Sequence, residues 1–548
     1  MRKWMPLLAV CLGTFMLLVD VTIVTVALPD MAVDLRTSFS ALEWVVDIYA
    51  LILAALLLAM GALGDLYGRR RLYLGGLALF ALASLGSGLA RSTAELIAAR
   101  GVQGIGGAAM YATTIALLNS AYRGRDRGVA FGIWGAVSGA AAAAGPILGG
   151  VLTQGLSWRW IFFVNLPVCV AALVATGRAF GADRVQRGSR LDVPGLVTFT
   201  VGAAAVTYAL IRVSAVGWTA GQTLGLLGTG LAAWAGFAVL EHRSAAPLLD
   251  LALLRRPAFA GVLAAALLLN LAAFAYFPYS SLWLQSVLGL SPIRAGLLGS
   301  APLSVAAFAV SALAGRFLHT ANPRWVVGGG LALIGAGALA QGTLSAGSGP
   351  VALLPGLIAA GVGVGLATPT LVSNAMSAVP QRSGGMAAGA VNTARQLGFT
   401  IGVALLGSIF AARAATVLAA RGAGRAVAPA VTGGQAGAVL AHAPAAQRAG
   451  LDVVIHAAAA AGLNLSFLVA GLLGLAGAVV AAVTLRRPAQ PGGPEAGVAN
   501  GPGAGVANGP EAGVGNGPEA GPAAGSPRLD QAGSPAAQAS RSGPSAPR

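Results

Sequence analysis

Apolar residues run through this chain in blocks too long for a soluble core. They recur from Pro6 to Leu485, broken by short polar connections that carry Gly, Pro, Arg or Asp. A bilayer's hydrocarbon core takes about 20 helical residues to cross. On that length the blocks predict helices near 6–28, 43–64, 72–90, 94–118, 128–154, 160–181, 193–212, 222–240, 259–284, 293–315, 325–345, 350–375, 386–411 and 462–485. Gly289, Ser291 and Pro292 divide the ninth from the tenth, a turn cluster that a continuous helix would not choose. The first block follows Arg2 and Lys3, but it is too long for a signal-peptide core, lacks a small-residue cleavage site and carries Asp20, so it reads as a membrane helix. The pattern predicts an all-α polytopic membrane protein with about fourteen crossings.

Arginine in the short connections sets the orientation. Arg69, Arg70 and Arg71 follow the second span, Arg123, Arg125 and Arg127 the fourth, Arg178, Arg184, Arg187 and Arg190 close or follow the sixth, and Arg255 and Arg256 follow the eighth. The odd-numbered connections hold fewer bases, which places both termini in the cytoplasm of a cell with this chain in its inner (plasma) membrane. The connection 412–461 runs against the rule, with Arg413, Arg421, Arg425 and Arg448 on the outside. Its length weakens the rule's force, and its Gly and Pro residues leave no strongly apolar crossing, so it is expected to be a partly helical external loop. Residues 488–548 change to Gly, Pro, Ala, Asn and Ser, with the repeated unit GPEAGVAN from Gly493. Such a segment buries too little apolar surface to offset its ordering entropy and is expected to be a disordered cytoplasmic tail.

Composition agrees with the pattern: 56% of the 548 residues are hydrophobic and only 9% charged, where soluble domains run near a quarter charged. The net charge of +17 would suggest nucleic acid if the bases formed a stripe; they punctuate the apolar blocks instead, so no nucleic-acid partner is expected. The cysteines Cys11 and Cys169 fall inside apolar blocks, where thiols pack as small hydrophobes. Four histidines lie scattered without carboxylate or thiol partners at ligand spacing, so neither a metal nor another cofactor is expected. Lys3 is the single lysine, which excludes a nucleotide-binding Walker loop, since that loop needs a lysine on the phosphates. Transport by this chain would draw on an ion gradient or a partner subunit.

Several motifs carry candidate chemistry. After the second span the chain reads Gly61-Ala-Leu-Gly-Asp65-Leu-Tyr-Gly68-Arg69-Arg70-Arg71. Its glycines permit close helix approach, and Asp65 can meet a helix N-terminus or an arginine to latch two elements. Arg100 stands inside the fourth span, where a cation is costly unless it is paired or snorkels to the headgroups. Gly139, Gly145, Pro146, Gly149 and Gly150 give the fifth span a flat, groove-like face, or a generic packing face.

The 61–71 loop resembles the signature loop of the major facilitator superfamily, with Leu66 where that family usually has a base. The stretch Gly139 to Gly150, GAAAAAGPILGG, looks like the GxxxxxGPxxGG antiporter motif of its exporters, and Arg100 with Gly104 is similar to the R-x-x-x-G stretch linked there to proton coupling. Leu18 to Pro29, with Asp20, resembles the D-x-T-I-V-N-V-A-L-P stretch of the fourteen-helix drug:proton antiporters, the multidrug and quaternary-ammonium exporters, with Thr25 in place of Asn. Further echoes are Trp44 to Tyr49, Trp158 to Pro167, and Asn392 to Gly398.

At 1.5 Å per residue, Asp20, Asp47 and Arg100 all fall in the outer half of their spans. Burial disfavours a charged carboxylate and a nearby guanidinium favours it, so the three could form a switchable proton site; a purely structural hydrogen-bonding role is the alternative, above all for Asp47 near the interface. Arg395, in the inner half of the thirteenth span, would meet either a substrate anion or a backbone carbonyl. Phe274, Tyr276, Phe277 and Tyr279 in the ninth could line a site for flat cations or hydrophobes, or simply pack.

The resemblance implies two six-helix bundles, 6–181 and 259–485, with 193–240 as an inserted pair. A weakened copy of the signature loop, from Ala314 to Arg324, supports a duplication. The implied function is proton-coupled export of small hydrophobic or cationic compounds by a monomer working through alternating access. A dedicated exporter of one endogenous metabolite or self-made antibiotic is the second reading. A polytopic enzyme or sensor is the third, and it lacks any loop with clustered acid, base or nucleophile.

Overall fold

The structure is a computed structural model that describes residues 2–37, 39–181, 192–244, 249, 251–317, 321–380, 383–423 and 427–485. The tail 488–548, the arginine-rich stretch 182–191 and part of the second signature-like loop lie outside the described residues.

Among the described residues fourteen long helical segments follow one another, labelled α1 to α14 in chain order. They are α1 (Met5–Asp34), α2 (Phe39–Tyr67), α3 (Arg69–Leu89), α4 (Thr93–Ala121), α5 (Gly124–Gly155), α6 (Trp160–Ala179), α7 (Val193–Val216), α8 (Gly221–Arg243) and α9 (Pro257–Val287). Then come α10 (Pro292–Gly299 with Ala301–Phe317), α11 (Pro323–Gln341), α12 (Leu354–Ser377), α13 (Gly384–Ala420) and α14 (Ala445–Thr484). Twelve of these are long and apolar enough to cross a bilayer, and the two pieces of α10, bent by 46° at Ser300, would make a thirteenth. The glycine-rich α5 is outside that count, although its 32 residues would reach about 48 Å at 1.5 Å per residue.

The helices fall into three groups by their contacts. Helices α1 to α6 pack among themselves, α9 to α14 do the same, and α7 with α8 forms a pair whose α7 lies against α2 and α13. Contacts between the two bundles run through α5 with α10 and α12, and through α13 with α2 and α4.

Local sequence explains the irregularities. Span nine breaks after Phe274, because Pro278 cannot donate a backbone hydrogen bond, and it ends in a single π-helical turn, Trp283–Val287. The turn cluster ahead of α10 works as expected: Gly289 adopts φ 67°, and the Ser291 hydroxyl caps the helix by accepting the Arg294 N–H.

The connection between α13 and α14 is more helical than its glycines suggested. Alanine-rich sequence prolongs α13 to Ala420 and starts α14 at Ala445, leaving two short helices, Val427–Thr432 and Ala436–His442, between them. Gly422 stops α13 at φ 76°; its N–H bonds to the Ala419 carbonyl while the Ala423 N–H reaches Leu418, the hydrogen-bond pair of a Schellman cap.

Candidate functional site

Inside the first bundle the sequence buries five polar side chains at one level. Asp20 on α1, Ser84 on α3, Arg100 and Gln103 on α4, and Asn165 on α6 are all inaccessible to solvent. Arg100 Nη1 donates to Asp20 Oδ2 at 2.5 Å and to Gln103 Oε1 at 2.8 Å, while its Nε donates to the Val45 carbonyl of α2 at 3.0 Å. The other carboxylate oxygen of Asp20 accepts from Gln103 Nε2 at 2.9 Å and Asn165 Nδ2 at 3.0 Å. Ser84 receives Asn165 and Gln103 and donates to the Phe162 carbonyl. The guanidinium also lies 4.3 Å from the centre of the Tyr49 ring, a cation–π contact strengthened by the dry surroundings. Every partner is thus a neutral dipole, a ring face or the opposite charge, which is how a membrane interior tolerates an ion pair.

The glycine four residues after Arg100 makes this reach possible. A Cβ at Gly104 would sit 3.0 Å from the Tyr49 carbonyl and 3.1 Å from the Ile52 side chain, a tight fit, so glycine favours the close approach of α4 to α2 that lets Arg100 meet Val45. Asp20 and Arg100 are therefore brought together. Asp47 is half-buried on α2, and the ion pair with Arg100 is made by Asp20. Sequence reasoning missed Gln103 and Ser84, and Asn165 stood only within a family echo. A usable signal was there: Gln103 is one helical turn from Arg100, on the same face.

A second assembly closes one end of the molecule. Asp65 near the end of α2 receives at Oδ1 the Nε and Nη2 of Arg69, at 2.9 and 2.7 Å, together with the backbone N–H of Gly385 at 2.9 Å, and at Oδ2 the backbone N–H of Met386 at 2.8 Å. Those N–H groups open α13, so Asp65 caps a helix of the opposite bundle while paired to its own neighbour. Gly61 allows this approach, since a Cβ there would collide with the Gly385 carbonyl, and Gly68 takes φ 106° to turn the chain into α3. Arg70 reaches the Gly177 carbonyl of α6 at 3.1 Å.

The glycine face of α5 divides between two neighbours. A Cβ at Gly145 would fall on the Thr22 side chain and one at Gly149 would lie 2.9 Å from the Ile23 carbonyl, both on α1. Gly139 and Gly150 instead face Ser304 and Ile293 of α10, across the bundle boundary. Pro146 falls within this unbroken helix.

Between the bundles, Arg395 of α13 lies about 16 Å from the start of its helix at Gly384 and points toward Trp134 of α5, 5.8 Å from the ring centre. With Asn270 of α9 and Thr368 of α12 it lines a cavity of about 10 Å³, the room of one water molecule. Nearby, Asn392 donates across the boundary to the Tyr111 carbonyl at 2.9 Å. The aromatics of span nine sit elsewhere. Tyr276 is fully buried against Phe277 and Phe467, its hydroxyl accepting from Gln341, and Tyr279 stacks on Phe410 and donates to the Val403 carbonyl. Phe274 meets Phe277 edge to face at 5.9 Å.

Two helical bundles joined by a charged latch, with a buried ion pair in one and a small cavity beside Arg395 in the other, have the architecture of a membrane transporter. The sequence pattern of the Major Facilitator Superfamily matches residues 10–403, and the chain belongs to that family. It is 37% identical over 409 residues to the multidrug resistance protein Stp of Mycobacterium tuberculosis (strain CDC 1551 / Oshkosh), covering 74% of this chain and 76% of that one. It is 35% identical over 511 residues to the tetracenomycin C resistance and export protein of Streptomyces glaucescens, covering 89% and 93%. Among solved structures, the human organic anion transporter MFSD10 superposes with a TM-score of 0.57 at 16% identity, over 87% of this chain and 99% of that one. The proton:xylose symporter XylE superposes at 0.55 and 15%, over 87% and 94%. At those identities the two structures share the fold.

Proposed function

We propose that this chain is a proton-coupled antiporter that exports small hydrophobic compounds from the cytoplasm, working as a monomer in the plasma membrane with both termini inside. The observation that carries the reading is the sealed Asp20–Arg100 pair, with Gln103 and Asn165 completing the carboxylate's partners. In this form both carboxylate oxygens of Asp20 are met by donors from α4 and α6. Parting α1 from α4 by a few ångströms would strip those donors away, favour the protonated acid, and so tie proton uptake to helix position.

The Asp65 latch supplies the second half of an exchange cycle. Made, it holds the cytoplasmic ends of α2 and α13 together; broken, it frees the bundles to rock open on that side. The glycine face of α5 supplies the sliding surface, bearing on α1 with one set of residues and on α10 with another.

The relatives' own descriptions, multidrug resistance for one and tetracenomycin C export for another, support export as the direction. The second of these favours the narrower reading, a dedicated exporter of one compound, because it matches nine-tenths of each chain. Inverted membrane vesicles test the proposal. Uptake of a fluorescent substrate should collapse part of an imposed proton gradient in the same vesicles, and substrate uptake with no proton movement would refute the coupling.

A further inference from the structure

A small cavity lined by α9, α12 and α13 of the second bundle carries the positive charge of Arg395 with no acid among its lining residues. Arg395 is the one ionisable residue lining it. Its Nη1 is buried without a hydrogen-bond partner among the described residues, and so is the hydroxyl of Thr368 on the facing wall. The sequence holds no Asp or Glu between Asp250 and Asp452, so the crossings α9 to α13 contain no acid at all. Asp452 itself sits near the start of α14 beside His456, far along that helix from its membrane half. In the opposite bundle Asp20 already holds Arg100, and Asp65 holds Arg69.

A guanidinium at mid-membrane depth is costly until an anion or several acceptors meet it. The residues around it are suited to one kind of guest. Trp134 offers a ring face, its Nε1 already donated to Thr14 at 3.0 Å. Leu269, Leu371 and Val372 offer apolar walls, and Arg395 with Thr368 offers donors. We propose that Arg395 is a substrate-selecting residue and that the exported compounds bear an ionised carboxyl or phenol on an aromatic, otherwise apolar body. This deepens the export reading and rests on it. It also revises the cationic preference that the family resemblance implied, since a cation entering this cavity would face Arg395 without a carboxylate to offset it. At about 10 Å³ the cavity is too small for such a guest in this form, so the guest enters when the latch at Asp65 opens.

Two dyes with the same xanthene rings and opposite charge, fluorescein and rhodamine 123, separate the possibilities. In proteoliposomes of the full chain, wild-type protein should move fluorescein in preference to rhodamine 123. Arg395→Gln should lower the ratio of fluorescein to rhodamine flux at least about tenfold, the effect of removing one charge-assisted contact, and Arg395→Lys should restore much of it. If Arg395→Gln fails to insert, wild-type binding decides: fluorescein should displace a bound acidic dye and rhodamine 123 should not. Export of rhodamine 123 without fluorescein, or equal loss of both dyes in Arg395→Gln, overturns the charge selection and leaves the export reading standing. Movement of neither dye, with no substrate-driven proton flux, counts against both.

Discussion

Asp20→Asn is the substitution on which the coupling argument turns. The amide keeps the shape of the carboxylate but must present one N–H₂ where the acid presented oxygen. If that group faces Arg100 it meets a cation whose Nη1 lay 2.5 Å from Oδ2; if it faces the other way it meets the Gln103 and Asn165 donors at 2.9 and 3.0 Å. Neither orientation satisfies the shell, and Arg100 is left as a fully buried, unneutralised charge. Removing one partner of a buried pair costs about 3–5 kcal/mol, or roughly two to three and a half powers of ten in a folding equilibrium. The single variant should therefore melt well below wild type in detergent and lose gradient-driven export. Arg100→Gln added to it removes the stranded charge, so the double variant should recover most of the lost stability and none of the transport. Scanning fluorimetry on the purified proteins reads the first effect, and vesicle uptake with a pH-sensitive dye reads the second. The reasoning fails if Asp20→Asn exports at the wild-type rate under a proton gradient, or if the double variant is no more stable than the single one.

Gly145→Leu should cut transport at least about tenfold, because the new side chain lands on Thr22 and forces α5 off α1; Val151→Leu, at a position 56% exposed, should leave the flux within about twofold, and vesicle uptake of both variants checks the contrast. Asp65→Asn should weaken the latch by about 1–3 kcal/mol through loss of the Arg69 pair and the α13 cap, seen as a lower melting temperature and slower turnover. A cysteine at Ala438, which is exposed in the segment between α13 and α14, should react with an impermeant maleimide added to intact cells once Cys11 and Cys169 are replaced. Labelling that requires opened membranes would place that segment in the cytoplasm and reverse the proposed orientation.

Hydropathy alone determined that the chain is a bundle of membrane helices, because every backbone group in hydrocarbon must be satisfied within its own segment and the apolar lengths leave few alternatives. The spacing of Gly61, Asp65 and Gly68, and of the α5 glycines, marked where helices approach closely, since small residues are a local signal that survives without knowing the neighbour. Asp20 and Arg100 stood out for the same reason: charge inside an apolar run is conspicuous wherever it points.

What sequence could not supply was pairing. Gln103, Ser84 and Asn165 are ordinary polar residues in helices, and only the packing of α1, α3, α4 and α6 shows that they converge on one carboxylate. Depth arithmetic put Asp47 level with Arg100, yet depth fixes height along a helix and leaves its azimuth open. Composition left Tyr276 and Tyr279 either lining a site or simply packing, and the tertiary structure packs them against Phe467 and Phe410 inside their own bundle. Asp65 was expected at a helix N-terminus or an arginine; it takes both, with the helix supplied by a segment 320 residues away. Contacts of that separation are set by how the two bundles meet, a property of the assembled surfaces that no local pattern encodes.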